Sequence, residues 1–551
     1  MDKFTSFSHI FTTEDAQGTS DTQSLASPLV LRYPLDDGTE SATTTYWAGP
    51  GTPRFPNAGG FSLDFEYVNT TTAYKAIAFA IEETHKSKVP LTIVQHQQAL
   101  PTASSRFTVE PTNLAGITPK AVMLVISRGV TQGTVADGAM FCFGAATGPD
   151  NQWAYTVASE HNVGTTSARR ASHDSFCGYL VPEPPTSVDS TLALIEFHEG
   201  GATFEFLKDT VDSYLVNYVF FAGDDLHAKA DTDRLYTTEQ TYAGLETEPQ
   251  LIIDDTINWQ TNNTISTGDA PFSLGVVSGS GTTLQQDYVT IAMDNGAAAA
   301  IDSSRADTGA FLTELALGGG VLYELTCNEF LVNGFTHQAS AAANGEYFGF
   351  LALDFGEDIG VWSDFITMPT STGDESYNDT GGDGPTFKPQ YLGLFPSLHQ
   401  TLASSKTANI LTLGYGGTDG TDEAMTTISD EDAADPTDNQ SLVSTQLIRA
   451  PYYDGTESAT ASTTATLKSF DNEGFTLNFT QVDSDQANKY IAFAIQQQEY
   501  AIGDVDGQQA TASGNAEFAY ELATGNVSGQ QATASGNAVH AYEVRIATGN
   551  V

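Results

Sequence analysis

The chain has 551 residues, a length that predicts three to four domains rather than one. It sets 21 Lys and Arg against 69 Asp and Glu, a net charge of -48 that repels phosphates and anionic lipid heads, so nucleic-acid binding and a membrane-surface role are excluded. Hydrophobic residues at 40% allow sizeable cores, and 50 glycines among many Thr and Ser point to strands and turns.

The first 17 residues hold Asp2, Glu14 and Asp15 and no apolar stretch, so no secretory signal is expected there. No apolar run reaches the roughly 18 residues of a membrane span, so no membrane insertion is expected. Phe61, Leu63 and Phe65 alternate with Ser62 and Asp64, which predicts a half-buried strand. Ala76 to Ile81 reads as a strand covered on both faces, and Ile81 to His85 as at most a short helical turn.

These elements return near the other end. Asp21 to Ser27 recurs as Asp438 to Ser444, and Asp37 to Thr43 recurs unchanged as Asp454 to Thr460. Gly60 to Phe65 recurs as Gly474 to Phe479, and Lys75 to Ile81 as Lys489 to Ile495. Four matches in one order are a duplication. Weaker copies of the Gly-led strand start at Gly201 and Gly334, so the four glycines lie 141, 133 and 140 residues apart. A Pro-led opening strand starts at Pro119, Pro249 and Pro389, and a strand with a glycine follows each, at Gly144, Gly275 and Gly414.

The chain is therefore read as all-β. The expected order is a partial module at 1–84, antiparallel β-sandwich modules (jelly-roll or Ig-like) at 107–230, 245–370 and 386–500, and a tail at 503–551. In the tail, Gly507 to Ala516 recurs unchanged at 529–538. Two 22-residue copies are too small for a core of their own, so the tail needs a partner.

Motifs that carry chemistry are missing. No GxGxxG opens a helix, and there is no GxxxxGK[ST], GxSxG or HExxH. Cys142, Cys177 and Cys327 have no CxxC spacing, so a buried structural role is expected and no zinc site. His161 and His173, with Asp174 alongside, have no nucleophile spacing. The acidic run from Asp430 to Asp438 and the stretch Asp504 to Gly507 lack the spacing and closing Glu of a calcium loop. Asn-x-Ser/Thr sequences at Asn69, Asn262, Asn378, Asn439, Asn478 and Asn526 are expected by chance in a Thr-rich chain. No catalytic, cofactor-binding or metal-binding residue is assigned. Strong acidity with few lysines suits a saline setting.

Pro119-Lys-Ala-Val122, Gly474-Phe-Thr-Leu-Asn478 and Tyr490-Ile-Ala-Phe493 together resemble a module of structural proteins of tailed viruses, and the Gln-Ala-Thr-Ala-Ser-Gly-Asn-Ala tail is similar to short repeats in their tail or fibre proteins. Pro249 departs from the pattern, because Gln250 follows it. The resemblance implies a virion component, a tail fibre, spike or other surface appendage assembled in the host cytoplasm and then extracellular. It transfers no catalytic residue, so no enzymatic activity is expected. Expected partners are other copies of the chain, other virion proteins and a host surface glycan or protein. The alternative is a cell-surface adhesin or surface-layer protein of a halophilic or marine microbe.

Overall fold

The computed structural model describes five strands between residues 8 and 67 and the chain from 89 to 498. Loops at 164–166, 182–189, 209–212, 260–263, 296–301, 342–345, 357–358, 382, 408–409, 432–437, 453–459 and 483–486 lie outside the description. So do Gly60, the expected strand at 76–81, the turn at 81–85 and the tail at 503–551. The chain forms two compact units, 1–85 and 86–551.

The N-terminal unit pairs β1 (Ser8–Glu14) with β2 (Asp21–Ser27), and orders β3 (Leu31–Pro34), β4 (Glu40–Tyr46) and β5 (Leu63–Tyr67) in a second sheet. All of its pairings are antiparallel. Of the strand expected at 61–65, residues 63–65 fall in β5, while Phe61 and Ser62 lie outside the described residues.

The larger unit repeats one set of eleven strands three times. The first set is β6 (Thr92–Ala99), β7 (Ser105–Val109), β8 (Pro119–Ser127), β9 (Val135–Asp137), β10 (Ala139–Gly148), β11 (Asn151–Ser159), β12 (Ala168–His173), β13 (Gly178–Leu180), β14 (Ser190–His198), β15 (Gly201–Lys208) and β16 (Leu215–Ala222). The second is β17 (His227–Arg234), β18 (Gln240–Ala243), β19 (Leu251–Trp259), β20 (Thr264–Thr267), β21 (Ala270–Ser280), β22 (Thr283–Met293), β23 (Ser303–Thr308), β24 (Leu312–Leu315), β25 (Val321–Leu331), β26 (Gly334–Ala339) and β27 (Tyr347–Asp354). The third is β28 (Val361–Thr367), β29 (Gly373–Tyr377), β30 (Pro389–Phe395), β31 (Ser404–Thr407), β32 (Ile410–Thr418), β33 (Glu423–Glu431), β34 (Asp438–Ser444), β35 (Ile448–Tyr452), β36 (Thr460–Asp471), β37 (Gly474–Gln481) and β38 (Lys489–Gln496). Each set takes in two strands ahead of its Pro-led strand.

Each set builds a seven-stranded and a four-stranded antiparallel sheet in the same strand order. The first four-stranded sheet runs β13-β14-β15-β7, and the others follow it as β24-β25-β26-β18 and β35-β36-β37-β29. In each seven-stranded sheet, six strands are the set's own and the seventh comes from another set. β20 adds to β12, β31 adds to β23, and β9 adds to β34. The second set thus donates to the first, the third to the second and the first to the third, which closes the three modules in a cycle.

Burial explains the unbroken apolar run in β8, from Ala121 to Ile126. In β8, Val122, Leu124 and Ile126 face the four-stranded sheet of their own sandwich. Ala121, Met123 and Val125 point the other way, into a core shared by all three modules. That core also takes Phe272, Leu274 and Leu351 from the second module and Tyr391, Phe395 and Phe493 from the third. A strand apolar on both faces is what a doubly covered sheet requires.

The recurring glycines mark two close backbone approaches. A Cβ on Gly201, Gly334 or Gly474 would lie 2.0, 1.8 or 2.0 Å from the carbonyl oxygen of Val109, Tyr242 or Tyr377 in the neighbouring strand. A Cβ on Gly144, Gly275 or Gly416 would lie 2.2, 1.5 or 2.2 Å from the oxygen of Cys177, Phe311 or Leu447, just before β13, β24 or β35. In the third module the equivalent glycine is therefore Gly416, two residues past the Gly414 that the sequence singles out. Gly144 stands opposite Leu124 and Gly416 opposite Leu394, which lie equally far along their Pro-led strands.

Gly275→Ala should cost roughly 1–3 kcal/mol or more, because the contact is with backbone that cannot rotate away. Gly320→Ala, with nothing within 4 Å, should stay within about 0.5 kcal/mol of the parent. Chemical denaturation of both variants checks the difference.

Candidate functional site

The polar groups that sequence patterns leave unexplained gather where modules meet. At the first seam, between the first and second modules, β12 pairs with β20 and the indole Nε1 of Trp153 donates to the Phe350 carbonyl at 2.8 Å. Lys229 Nζ donates to Asn151 Oδ1 at 2.6 Å, and the Ala230 amide to Thr147 Oγ1 at 3.1 Å. At the second seam, Ser304 Oγ meets His399 Nε2 at 3.0 Å, Ser278 meets Ser363 at 2.8 Å, and Arg305 Nη1 donates to the Ala403 carbonyl at 3.0 Å. At the third, Asn439 Nδ2 donates to Ser159 Oγ at 2.7 Å and to the Glu160 carbonyl at 2.8 Å. There too, Asn217 Nδ2 donates to Thr426 Oγ1 at 2.6 Å and Tyr391 donates to Gln95 Oε1 at 3.1 Å.

Carboxyls of the second module are buried at these seams and inside its own sandwich. Burial pushes Glu314 up to about 8, helped by the like charge of Glu346 and opposed by Arg170 of the first module. Burial likewise pushes Asp287 up to about 8, with Asp364 of the third module adding and a hydrogen bond from Gln285 opposing. Asp254 and Asp255, adjacent in β19, are both fully buried and both raised well above the usual carboxyl range, chiefly by desolvation. Asp255 occupies the strand position that Val125 and Phe395 fill in the shared core. Neither of its oxygens has a hydrogen-bond partner among the described residues. Burial also pushes His399 down to about 4, assisted by Lys406 and Arg305.

A cavity of about 570 Å³ opens at the first seam, with Lys120, His227, Lys229, Glu246 and Asp354 on its wall. The chain's own groups engage its lysine and histidine side chains. Lys120 Nζ donates to the carbonyls of Asp224 and Leu226 at 2.8 and 2.9 Å, and His227 Nδ1 lies 3.3 Å from Glu246 Oε2.

The residues singled out from sequence separate. His161 accepts the Asn439 amide at 3.3 Å, at the third seam. His173 accepts the Ser175 amide at 3.0 Å and packs its ring against Phe176 and Tyr179. Asp174 accepts the Ser175 hydroxyl at 3.1 Å. Asp430 is buried in β33, and Asp504 to Gly507 lies outside the described residues. Asn439 is buried, while Asn378 accepts the Gly381 amide and Asn478 donates to Asp374. Asn69, Asn262 and Asn526 lie outside the described residues. All three cysteines are free and buried, and burial raises each thiol, Cys142 to about 11. Among the described residues, no group of three or more His, Cys, Asp or Glu is placed to hold a metal ion.

Comparison with protein-family profiles, with curated proteins and with solved structures finds no match to this chain. The seams are the features sequence reading missed. The donor strands are short and polar, and only the three-way repetition of the eleven-strand set points to them.

Raised carboxyls make folding sensitive to alkali. In the unfolded chain Asp287 and Glu314 lose their protons near 3.8 and 4.5, but in the folded chain only near 8. Their contribution is therefore fully favourable below about pH 4 and falls as pH rises toward 8, by up to about 1.4 kcal/mol per unit for each group. Asp287→Asn should flatten melting temperature against pH across that window relative to the parent. Asp255→Val should raise the melting temperature at pH 8, since it removes a buried group that has no partner. Thermal melts from pH 4 to 9 check both.

Proposed function

We propose that the chain is a structural component of a tailed virus particle, a fibre, spike or similar surface appendage that contributes to host attachment. The observation that carries this reading is the cyclic exchange of strands among three β-sandwiches around one core. Such a body resists local opening, because every module is held by a strand of another. It supports a mechanical and display role, in which rigid sheets present loops for recognition.

The acidity adds to the reading. A net charge of -48 keeps a surface soluble where salt shortens the Debye length to a few ångströms, as in a saline habitat. The partners in this reading are other copies of the chain, other virion proteins and a host surface glycan or protein.

Mass spectrometry of particles purified from a host culture producing the virus tests the proposal. The chain should be present in multiple copies per particle and should stay with the particles through a density gradient. Its absence from intact particles, with the protein recovered in the host envelope instead, would overturn the reading.

A further inference from the structure

Strand donation needs an acceptor edge. In the third module this edge is the outer side of β34, where Gln440, Ser441 and Leu442 stand opposite Asp137, Ala136 and Val135 of β9. Bonds on either side fasten the donor. The Gly138 amide donates to the Asn439 carbonyl at 2.6 Å and the Gly133 amide to the Val443 carbonyl at 2.7 Å. The Ser441 hydroxyl donates to the Gly138 carbonyl at 2.7 Å and accepts the Met140 amide at 3.2 Å.

The N-terminal unit carries a second copy of that edge. Gln23-Ser24-Leu25 in β2 is identical to Gln440-Ser441-Leu442 in β34. β1 pairs with β2 from Ser8 opposite Ser27 to Glu14 opposite Asp21, and β33 pairs with β34 from Met425 opposite Ser444 to Glu431 opposite Asp438. Met425 lies 417 positions after Ser8, and Ser444 lies 417 after Ser27, so the two hairpins share one register. The second sheets match down to their irregularities. Register breaks at Tyr33/Pro34 and at Thr43/Thr44 stand where Ala450/Pro451 and Thr464/Ala465 break in the third module. Among the described residues, β1 and β2 form a sheet of two strands, and nothing pairs with the outer edge of β2.

Part of the tail aligns with the segment that contains the donor. Gln132 to Gly148, which contains β9 and β10, aligns without gaps on Gln509 to Gly525. Thr134, Ala139, Phe141, Ala146, Thr147 and Gly148 recur as Thr511, Ala516, Phe518, Ala523, Thr524 and Gly525, with Tyr520 for Phe143. Ala512, Ser513 and Gly514 take the places of the donor residues Val135, Ala136 and Asp137.

We infer that the tail donates a strand to a second copy of the chain. Residues 511–515 of one copy add antiparallel to the outer edge of β2 in another, with Ser513 opposite Ser24 as Ala136 stands opposite Ser441. Small residues in the donor leave the main-chain ladder to carry affinity, as in β-strand addition generally. The contact joins the unit 1–85 of one chain to residues 511–515 of its neighbour. Such a head-to-tail interface gives a ring where its rotation closes and a filament where it does not. The inference does not depend on the virion reading.

The test uses the full-length chain in two single-cysteine variants, Ser24→Cys and Ser513→Cys, one of them isotope-labelled, mixed under mild oxidation. The three native cysteines are buried and do not compete. A disulfide between labelled and unlabelled chains, joining positions 24 and 513, is expected, because opposed antiparallel residues have Cα atoms within disulfide reach. Absence of that product would overturn the inference. Light scattering on the parent and on Ser24→Pro gives a second reading. The parent should associate and Ser24→Pro should not, while the melting transition of residues 86–551 is unchanged. A parent that stays monomeric at every concentration, or an association indifferent to Ser24→Pro, would also overturn it.

Discussion

A sheet that is apolar on both faces cannot leave either face in water. Each seven-stranded sheet here has one face covered by its own four-stranded partner and a second face rich in Phe, Leu, Ile and Tyr. At about 25 cal/mol per Å² of apolar surface, exposing that second face would cost more than the whole net stability of an ordinary domain. Three modules resolve the problem by turning those faces toward one another. The shared core is therefore the condition under which each sandwich can exist in this form.

The strand exchange follows from the same geometry. Once the faces meet, the outer edge of β12, β23 or β34 lies beside the neighbouring module, and a bare edge would expose a row of unpaired amides and carbonyls. A short connection in each module, β20, β31 or β9, is laid along that edge. Polar side chains at the seams then pair across modules, as Asn217 does with Thr426 and Trp153 with the Phe350 carbonyl. The modules are not copies at every position. Asp255 stands in the shared core where the others place Val125 and Phe395, and Asp287 is buried where the first module has Trp153, so the second module brings carboxyls to the interior.

Much of this was legible in the sequence for physical reasons. Alternating apolar residues, Pro-led strands and Gly-led strands reported an all-β chain with a period near 130 to 140 residues. Gly201, Gly334 and Gly474 recur because a carbonyl from the adjacent strand fills the space of a side chain. The shared core was half legible: Ala121 to Ile126 is continuous enough to demand cover on both faces, but no local pattern says what supplies it. The donor strands were not legible, since Val135-Ala-Asp137, Thr264 to Thr267 and Ser404 to Thr407 have neither length nor apolar alternation. The polar seams were equally hidden, because hydrogen bonds such as Tyr391 to Gln95 join residues far apart in the chain, with nothing local to mark them.

The central claim is that the three modules are held as one body by their common core. Native-state hydrogen exchange tests it most directly, through the amides of β8, β19 and β30 in the parent and in Leu351→Ala. That substitution removes a fully buried side chain from the shared core and should destabilise by roughly 2–5 kcal/mol. If the core binds the modules together, protection in all three strands falls by a similar factor. If only β19 loses protection while β8 and β30 keep theirs, the modules are independent and the account is wrong.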